Sequence, residues 1–155
     1  MKSFIDQVYL RTYTLLFSRL DSTKFKFLWH YSYWDGPRNG ICEYDGKKCW
    51  FECVEEWHDN HSYPPDDDDF EQPWWRRFLL VHLTDEQYFL TFSRHQRFQI
   101  LVGNHSTYDS AGRRSSYGSD VWSTKKSMDE FYAVRRKEQE FVPADEHRVL
   151  GWIER

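Results

Sequence analysis

The sequence predicts a single α+β domain in which an antiparallel, meander-like sheet is packed by one or two helices. Three observations predict it. Two turn signals, Asp35-Gly36-Pro37 and Asp45-Gly46, fall within about twenty residues between runs rich in aromatic and β-branched side chains. A capping-box sequence, Thr84-Asp85-Glu86-Gln87, opens a stretch with helical spacing. The connections between the early strands are too short for crossover helices, which disfavours a parallel, doubly wound sheet.

The elements follow in order. Ser3 to Leu20 sets Phe4, Val8, Leu15, Leu16 and Leu20 at near-helical intervals, with Ser3 in a capping position and Asp6 three residues on, and so predicts a helix. Val8 to Phe17 also alternates in part, so a strand is the competing reading; Asp21-Ser22-Thr23 ends the element either way. Lys24 to Trp34 begins with alternation and reads as a half-buried strand, closed by Asp35-Gly36-Pro37 because proline has no N–H for the ladder. Ile41–Tyr44 and Lys48–Val54 flank Asp45-Gly46 as a hairpin, with Cys49, Phe51 and Cys53 on one face of the second arm and Trp50, Glu52 and Val54 on the other.

Residues 55–73 hold Glu55, Glu56, Asp59, Asp66, Asp67, Asp68, Asp69 and Glu71, three prolines and no Lys or Arg, which predicts an exposed, mobile acidic loop. Arg76 to Leu83 returns to strand character. The capping box then starts a helix at about Asp85 that stops near Gly103, with Tyr88, Phe89, Phe92 and His95 or Gln96 along one stripe and Ile100 beyond. Residues 104–126, rich in Ser, Gly and Tyr, read as irregular. Ser127-Met128-Asp129-Glu130 is a second capping box before a short charged helix over Phe131 to Glu140, Pro143 excludes its continuation, and Val149 to Ile153 forms the last strand.

A chain of 155 residues buries roughly 70% of its unfolded surface in one core. Thirty of those residues are Phe, Tyr or Trp, although the mean hydropathy is only -0.86. Each buried ring removes about 150–250 Å² from water, so thirty exceed what the core needs and some are expected half exposed, as at interfaces. A net charge of -4 argues against a general nucleic-acid or anionic-membrane binder, which needs a basic face, and leaves room for local basic patches. No apolar run approaches the roughly 20 residues of a membrane span, Met1-Lys2-Ser3-Phe4 opens no signal sequence, and three cysteines make no disulfide framework, so a cytoplasmic protein is expected.

The pattern Tyr33-Trp34-Asp35-Gly36-Pro37, Gly40, Tyr44, Gly46, Trp50-Phe51, Val102-Gly103-Asn104-His105, Tyr108-Asp109 and Gly151-Trp152 resembles that of a group of small bacterial hypothetical proteins. The resemblance spans most of the chain and brings no activity, cofactor or catalytic residue with it. The chain holds no P-loop, dinucleotide fingerprint, nucleophile elbow or paired-cysteine zinc signature.

Four places carry candidate chemistry. In the acidic segment, His58, Asp59, His61 and Asp66 to Asp69 are ligand types for a cation, but consecutive aspartates on an extended chain point different ways and repel, so a solvated loop or protein-docking surface is the plainer reading and no metal is assigned. Arg94, His95, Arg97, His105, Tyr108 and Asp109 would hold a phosphorylated or nucleotide-like ligand if the helix end met the following segment, with Asp109 orienting His105 and Tyr108 stacking on a base; solvated helix residues and turn histidines are the plainer alternative. Asp35, Arg38, Asn39 and Glu43 beside Tyr33 and Trp34 would form an aromatic-walled pocket, although Asp before Gly-Pro ordinarily caps its own turn. Cys49 and Cys53 are too far apart on one strand for a disulfide and Cys42 lies across the hairpin from one of them, so buried thiols are expected rather than a nucleophile paired with His30 or His58.

The reading these residues favour is a small protein-interaction domain of immunity or inhibitor type, without a cofactor and leaning away from catalysis. Trp57, Tyr63, Asp66, Asp67, Asp68, Asp69, Phe70, Trp74 and Trp75 would engage a basic patch on a partner protein. The alternative is a ligand-binding domain or small enzyme for a phosphorylated compound, built on Arg94, Arg97, His105, Tyr108 and Asp109. A third, a metal-dependent hydrolase, would rest on His58 and His61.

Overall fold

The computed structural model describes residues 12–31, 37–58, 74–103, 106–116, 124–135 and 148–155. Within them a short helix α1 (Tyr13–Leu16) and a 3-10 turn (Ser22–Lys24) precede strands β1 (Phe25–His30), β2 (Asn39–Tyr44), β3 (Lys47–His58) and β4 (Trp74–His82). Helix α2 (Asp85–Leu101), strands β5 (Ser106–Tyr108) and β6 (Arg114–Ser116), helix α3 (Lys125–Arg135) and strand β7 (Val149–Glu154) follow. The strands form one antiparallel sheet in the order β6-β5-β1-β2-β3-β4-β7, so β1 to β4 are the expected meander and the later strands extend it at both edges.

Local chemistry sets the centre of this sheet. Asp45 and Gly46 take positive φ angles of 49° and 78°, the two-residue turn whose twist matches a right-handed hairpin, and β2–β3 pairing runs without a break from Tyr44↔Lys47 to Asn39↔Glu52. The faces alternate as the sequence predicts: Cys49 and Phe51 lie in one cluster with Phe25, Cys42, Phe78, Leu80 and Ile153, while Val54 and Trp50 belong to the opposite face with Leu79, Val81 and Trp152.

The sheet is strongly curled. Phe25 on β1 stacks on Phe78 of β4 with ring centroids 6.2 Å apart, although two strands lie between and three strand spacings in a flat sheet measure about 14 Å. Arg155, just beyond β7, holds its guanidinium 5.6 Å from the rings of both Phe25 and Phe27. Register shifts at Phe27/Trp29, Cys53/Glu55 and Leu80/Val81 add the local bends such a curl requires. Its concave side is filled by Phe25, Phe27, Phe51 and Phe78, edge to face at 4.6 to 6.2 Å apart from the one stacked pair.

Between β7 and β1 the chain makes its own closure. Leu20 N–H donates to the Trp152 carbonyl at 2.7 Å and Trp152 N–H to the Ser18 carbonyl at 3.1 Å, so residues 18–20 lie along the outer edge of β7 before the Ser22–Lys24 turn delivers the chain to β1. Gly151 permits this lap. Its φ is 148°, and a Cβ there would collide with the Ser18 carbonyl oxygen and with Leu20 Cγ at 2.8 Å.

On the convex side, Tyr13 and Trp152 meet edge to face over Val54, Leu79 and Val81, and α2 packs Tyr88, Phe92 and His95 on Trp29 beside Ile41 and Leu83. The α2 cap forms as the sequence predicts: Gln87 N–H donates to Thr84 Oγ1 at 3.1 Å and Thr84 N–H to Gln87 Oε1 at 2.9 Å. Thr84→Ala removes one arm of this exchange and is expected to cost about 1 kcal/mol in urea unfolding. A variant as stable as the parent would show that the cap does not hold the helix.

Several expected boundaries move. The N-terminal helix over residues 3–20 is helical only at Tyr13–Leu16 among the described residues, because from Phe17 the chain extends to meet β7. Glu55 to His58, read as loop, finish β3, and β4 starts at Trp74 rather than Arg76. The segment read as irregular over 104–126 contains the β5–β6 hairpin. Helix α3 begins at Lys125, capped by Thr124 and Ser127 in reciprocal bonds of 3.1 Å, so Ser127 is the inner member of that box and not its cap. On α2 the buried stripe carries Thr91, Arg94 and His95, whereas Phe89 and Ile100 stand 70% and 75% exposed.

Candidate interaction surface

The distal end of the β3–β4 hairpin is built from mirrored sequences, Glu55-Glu56-Trp57-His58 on one strand and Trp74-Trp75-Arg76-Arg77 on the other. Antiparallel pairing sets Glu55 against Arg77, Glu56 against Arg76 and Trp57 against Trp75. Opposite charges facing across strands attract. The alternation puts Glu55, Trp57, Trp75 and Arg77 on the convex face and Glu56 and Arg76 on the concave one.

Arg77 is the hub of the convex side. Its Nη1 donates to Glu55 Oε2 at 2.8 Å and its Nε to Glu154 Oε2 at 2.9 Å. The guanidinium carbon lies 4.9 Å from the Trp57 ring and 5.0 Å from the Trp152 ring, a cation between two indoles. Tyr13 joins by donating its hydroxyl to Glu55 Oε2 at 2.6 Å. Burial, then the hydrogen bond to Glu55, push the Tyr13 hydroxyl up to about 12, and the bond from Tyr13 holds the Glu55 carboxyl below its usual range. On the concave side Arg76, 7% exposed, donates through Nε to Glu56 Oε2 at 2.9 Å, and Arg38 reaches Glu56 Oε1 at 3.3 Å.

The two strand glutamates are therefore answered within the fold. The remaining acids of the segment, Asp59, Asp66 to Asp69 and Glu71, lie in residues 59–73, where no Lys or Arg accompanies them. Six of the 25 acidic residues sit there, so the other 140 residues carry 19 acids against 21 Lys and Arg, and the net negative charge resides in this connection. At its root Trp75 is 45% exposed.

Of the interaction residues named from sequence, Trp57 and Trp75 face one another here, and Trp74 pairs with His58 in backbone register. Tyr63, Asp66, Asp67, Asp68, Asp69 and Phe70 lie outside the described residues, as do Asp59 and His61. What the sequence reading missed is Tyr13, Arg76, Arg77 and Trp152. The mirrored order of acids, indoles and arginines on either side of the segment was the available signal, hidden because composition alone placed Glu55 and Glu56 in the loop.

The ligand-binding set is divided by the sheet. Arg94, 9% exposed, lies on α2 beside Tyr31, whose hydroxyl accepts from the Trp29 indole at 3.3 Å on the convex face. Tyr108 packs on the concave side, tilted against Phe27 at 5.2 Å and His30 at 6.0 Å. Asp109 caps its own turn, accepting from the Ala111 and Arg113 amides and from Arg113 Nε, each at 2.9 Å; these bonds hold its carboxyl below the usual range. Arg97 is half-buried on α2, and His105 lies outside the described residues.

In the proposed aromatic-walled pocket, Arg38 turns to Glu56, while Glu43 is engaged by Lys48 at 2.6 Å across β2–β3. Tyr33, Trp34 and Asp35 lie outside the described residues. Cys42 and Cys49 are fully buried free thiols and Cys53 is half-buried. Among the described residues no three His, Cys, Asp or Glu side chains gather as a metal site would need, and no helix is long and apolar enough to cross a membrane. Comparison with protein-family models, curated proteins and solved structures found no match.

Proposed function

We propose that the protein is an interaction domain of immunity or inhibitor type, which presents the acidic connection 59–73 and the indoles at its root to a basic patch on a partner protein. The observation that carries this reading is the charge distribution of the hairpin: Glu55 and Glu56 are matched by Arg77 and Arg76, whereas the six acids beyond them have no basic residue in their own segment. Self-repelling charge of that density lowers folding stability unless something else answers it, and a basic partner does. The half-exposed Trp75 adds an aromatic anchor beside the charged rim, a combination typical of binding hot spots.

The test is to crosslink the protein in cells that carry its gene, identify what it captures and measure binding with purified components. Changing Asp66 to Asp69 together to Asn is expected to slow association by roughly tenfold or more at low salt, with the difference shrinking at high salt. Trp75→Ala is expected to act on dissociation, costing about 2 kcal/mol of affinity. A captured protein that binds both variants as it binds the parent would refute the reading.

A further inference from the structure

The geometry points to Cys42 and Cys49 as a dithiol–disulfide pair whose state is set while the chain folds and is then sealed into the concave core. The two residues are direct partners across β2–β3, and the Cys49 thiol donates to the Lys47 carbonyl at 3.6 Å. Both are fully buried, among Phe25, Phe51, Phe78 and Ile153.

Register gives their spacing. The two-residue turn at Asp45-Gly46 makes Tyr44 and Lys47 a hydrogen-bonded pair, and every second pair beyond it is of the same kind, so Cys42 and Cys49 sit about 5.5 Å apart between Cα atoms. That separation is inside the range a disulfide spans, about 4.4 to 6.8 Å. Cβ atoms at such a pair stand about a full ångström farther apart than a disulfide prefers, so the strands must pinch and the bond is correspondingly reducible. Cys53, four residues along an extended strand and thus about 13 Å from Cys49, is excluded from either partner in the fold.

Timing follows from locality and burial. Only seven positions separate the two cysteines, and their hairpin closes through an autonomous turn, so they meet before the rings of β1 and β4 arrive. While the hairpin is open, a thiolate of one cysteine attacks glutathione disulfide and releases one glutathione thiolate; the second cysteine then attacks the protein sulfur of that mixed disulfide and releases the other. Two protein thiols lose two electrons and two protons, and two molecules of glutathione are formed. Once the aromatic core has closed, neither sulfur is accessible to a reagent of that size.

The reduced chain, unfolded in guanidinium, is diluted into oxidised glutathione, and in parallel the already folded reduced protein receives the same buffer. Digestion without reductant is expected to show a Cys42–Cys49 linkage in the refolded sample, with Cys53 outside it, and free Cys42 and Cys49 in the sample folded beforehand. Refolding in an excess of reduced glutathione should return the dithiol. A Cys53→Ala chain, freed of the competing thiol, keeps the readout clean should the parent scramble. The inference is overturned if the Cys53→Ala chain refolds without the linkage, if the linked chain lacks the far-ultraviolet sheet signal of the reduced protein, or if the folded protein oxidises as fast as the unfolded one.

Discussion

Gly40→Ala is expected to cost about 3 kcal/mol or more, enough to leave much of a marginally stable domain unfolded at ambient temperature. A Cβ at this position would collide with the Trp29 carbonyl oxygen and stand 2.7 Å from His30 Cα and 3.0 Å from Phe51 Cε1. The first two are backbone of β1, which pairs with β2 through Trp29↔Ile41 and His30↔Gly40, so relief requires parting two central strands. Phe51 cannot give way either, being fully buried between Phe27 and Phe78. Gly46→Ala is the control, because a Cβ there meets nothing within 4 Å and the substitution carries only the strain of a φ of 78°, about 1 kcal/mol. Urea midpoints of the two variants separate steric collision from backbone strain. Equal losses would mean that β1 and β2 do not approach as closely at Gly40 as described.

Acid should weaken the fold through His95 before it reaches the carboxylates. This side chain is 5% exposed and lies flat on Trp29, ring centroids 4.4 Å apart with 9° between the planes, and burial lowers its pKa from 6.5 to about 4. Above pH 6.5 the ring is neutral in folded and unfolded chains, and its contribution is fully present. As pH falls below 6.5 the unfolded chain takes up a proton that the folded chain refuses until about pH 4, so stability drops by about 1.4 kcal/mol per pH unit, to a total of about 3 kcal/mol. Glu43 and Glu55, held low chiefly by their bonds to Lys48 and Tyr13, add their own losses only below the ordinary carboxylate range. His95→Phe keeps a flat ring on Trp29 and removes the titration. Urea unfolding of both proteins from pH 7 to pH 4 should show curves that diverge in this window, and parallel curves would mean that His95 is accessible to protons in the fold.

The features legible in the sequence are those whose causes lie within a few residues of one another. Thr84 and Gln87 satisfy each other's backbone N–H groups across three positions, and Asp45-Gly46 specifies its hairpin through two dihedral angles. The curl of the sheet depends instead on Phe25 meeting Phe78 and on Arg155 meeting both Phe25 and Phe27, contacts between strands more than fifty residues apart in the chain. The same distance explains the N-terminal segment: Leu15, Leu16 and Leu20 have helical spacing, but Leu20 is drawn into strand pairing by Trp152. On α2 the apolar periodicity gives the helix and includes His95 in its stripe but places Phe89 inward, because spacing alone does not say that Thr91 and Arg94 take the interior positions beside His95. At the candidate surface, composition made Trp57 and Trp75 visible as anchors. It concealed Arg76 and Arg77 as their partners, since pairing across a hairpin is a matter of register.

The lap of residues 18–20 on β7 bears on the company the protein keeps in a concentrated solution. Val149-Leu150-Gly151-Trp152-Ile153 is an uncharged, strand-favouring run at the end of a sheet, the kind of border onto which a second copy adds its own strand and from which aggregates grow. Both main-chain groups of Trp152 are already taken, its N–H by Ser18 and its carbonyl by Leu20, and Arg19 leans over the border, its guanidinium 5.6 Å from the Trp152 ring and 3.5 Å from Glu154. The stretch that leads the chain into its first strand thus serves as a selvage, a finished margin on the β7 side of the sheet.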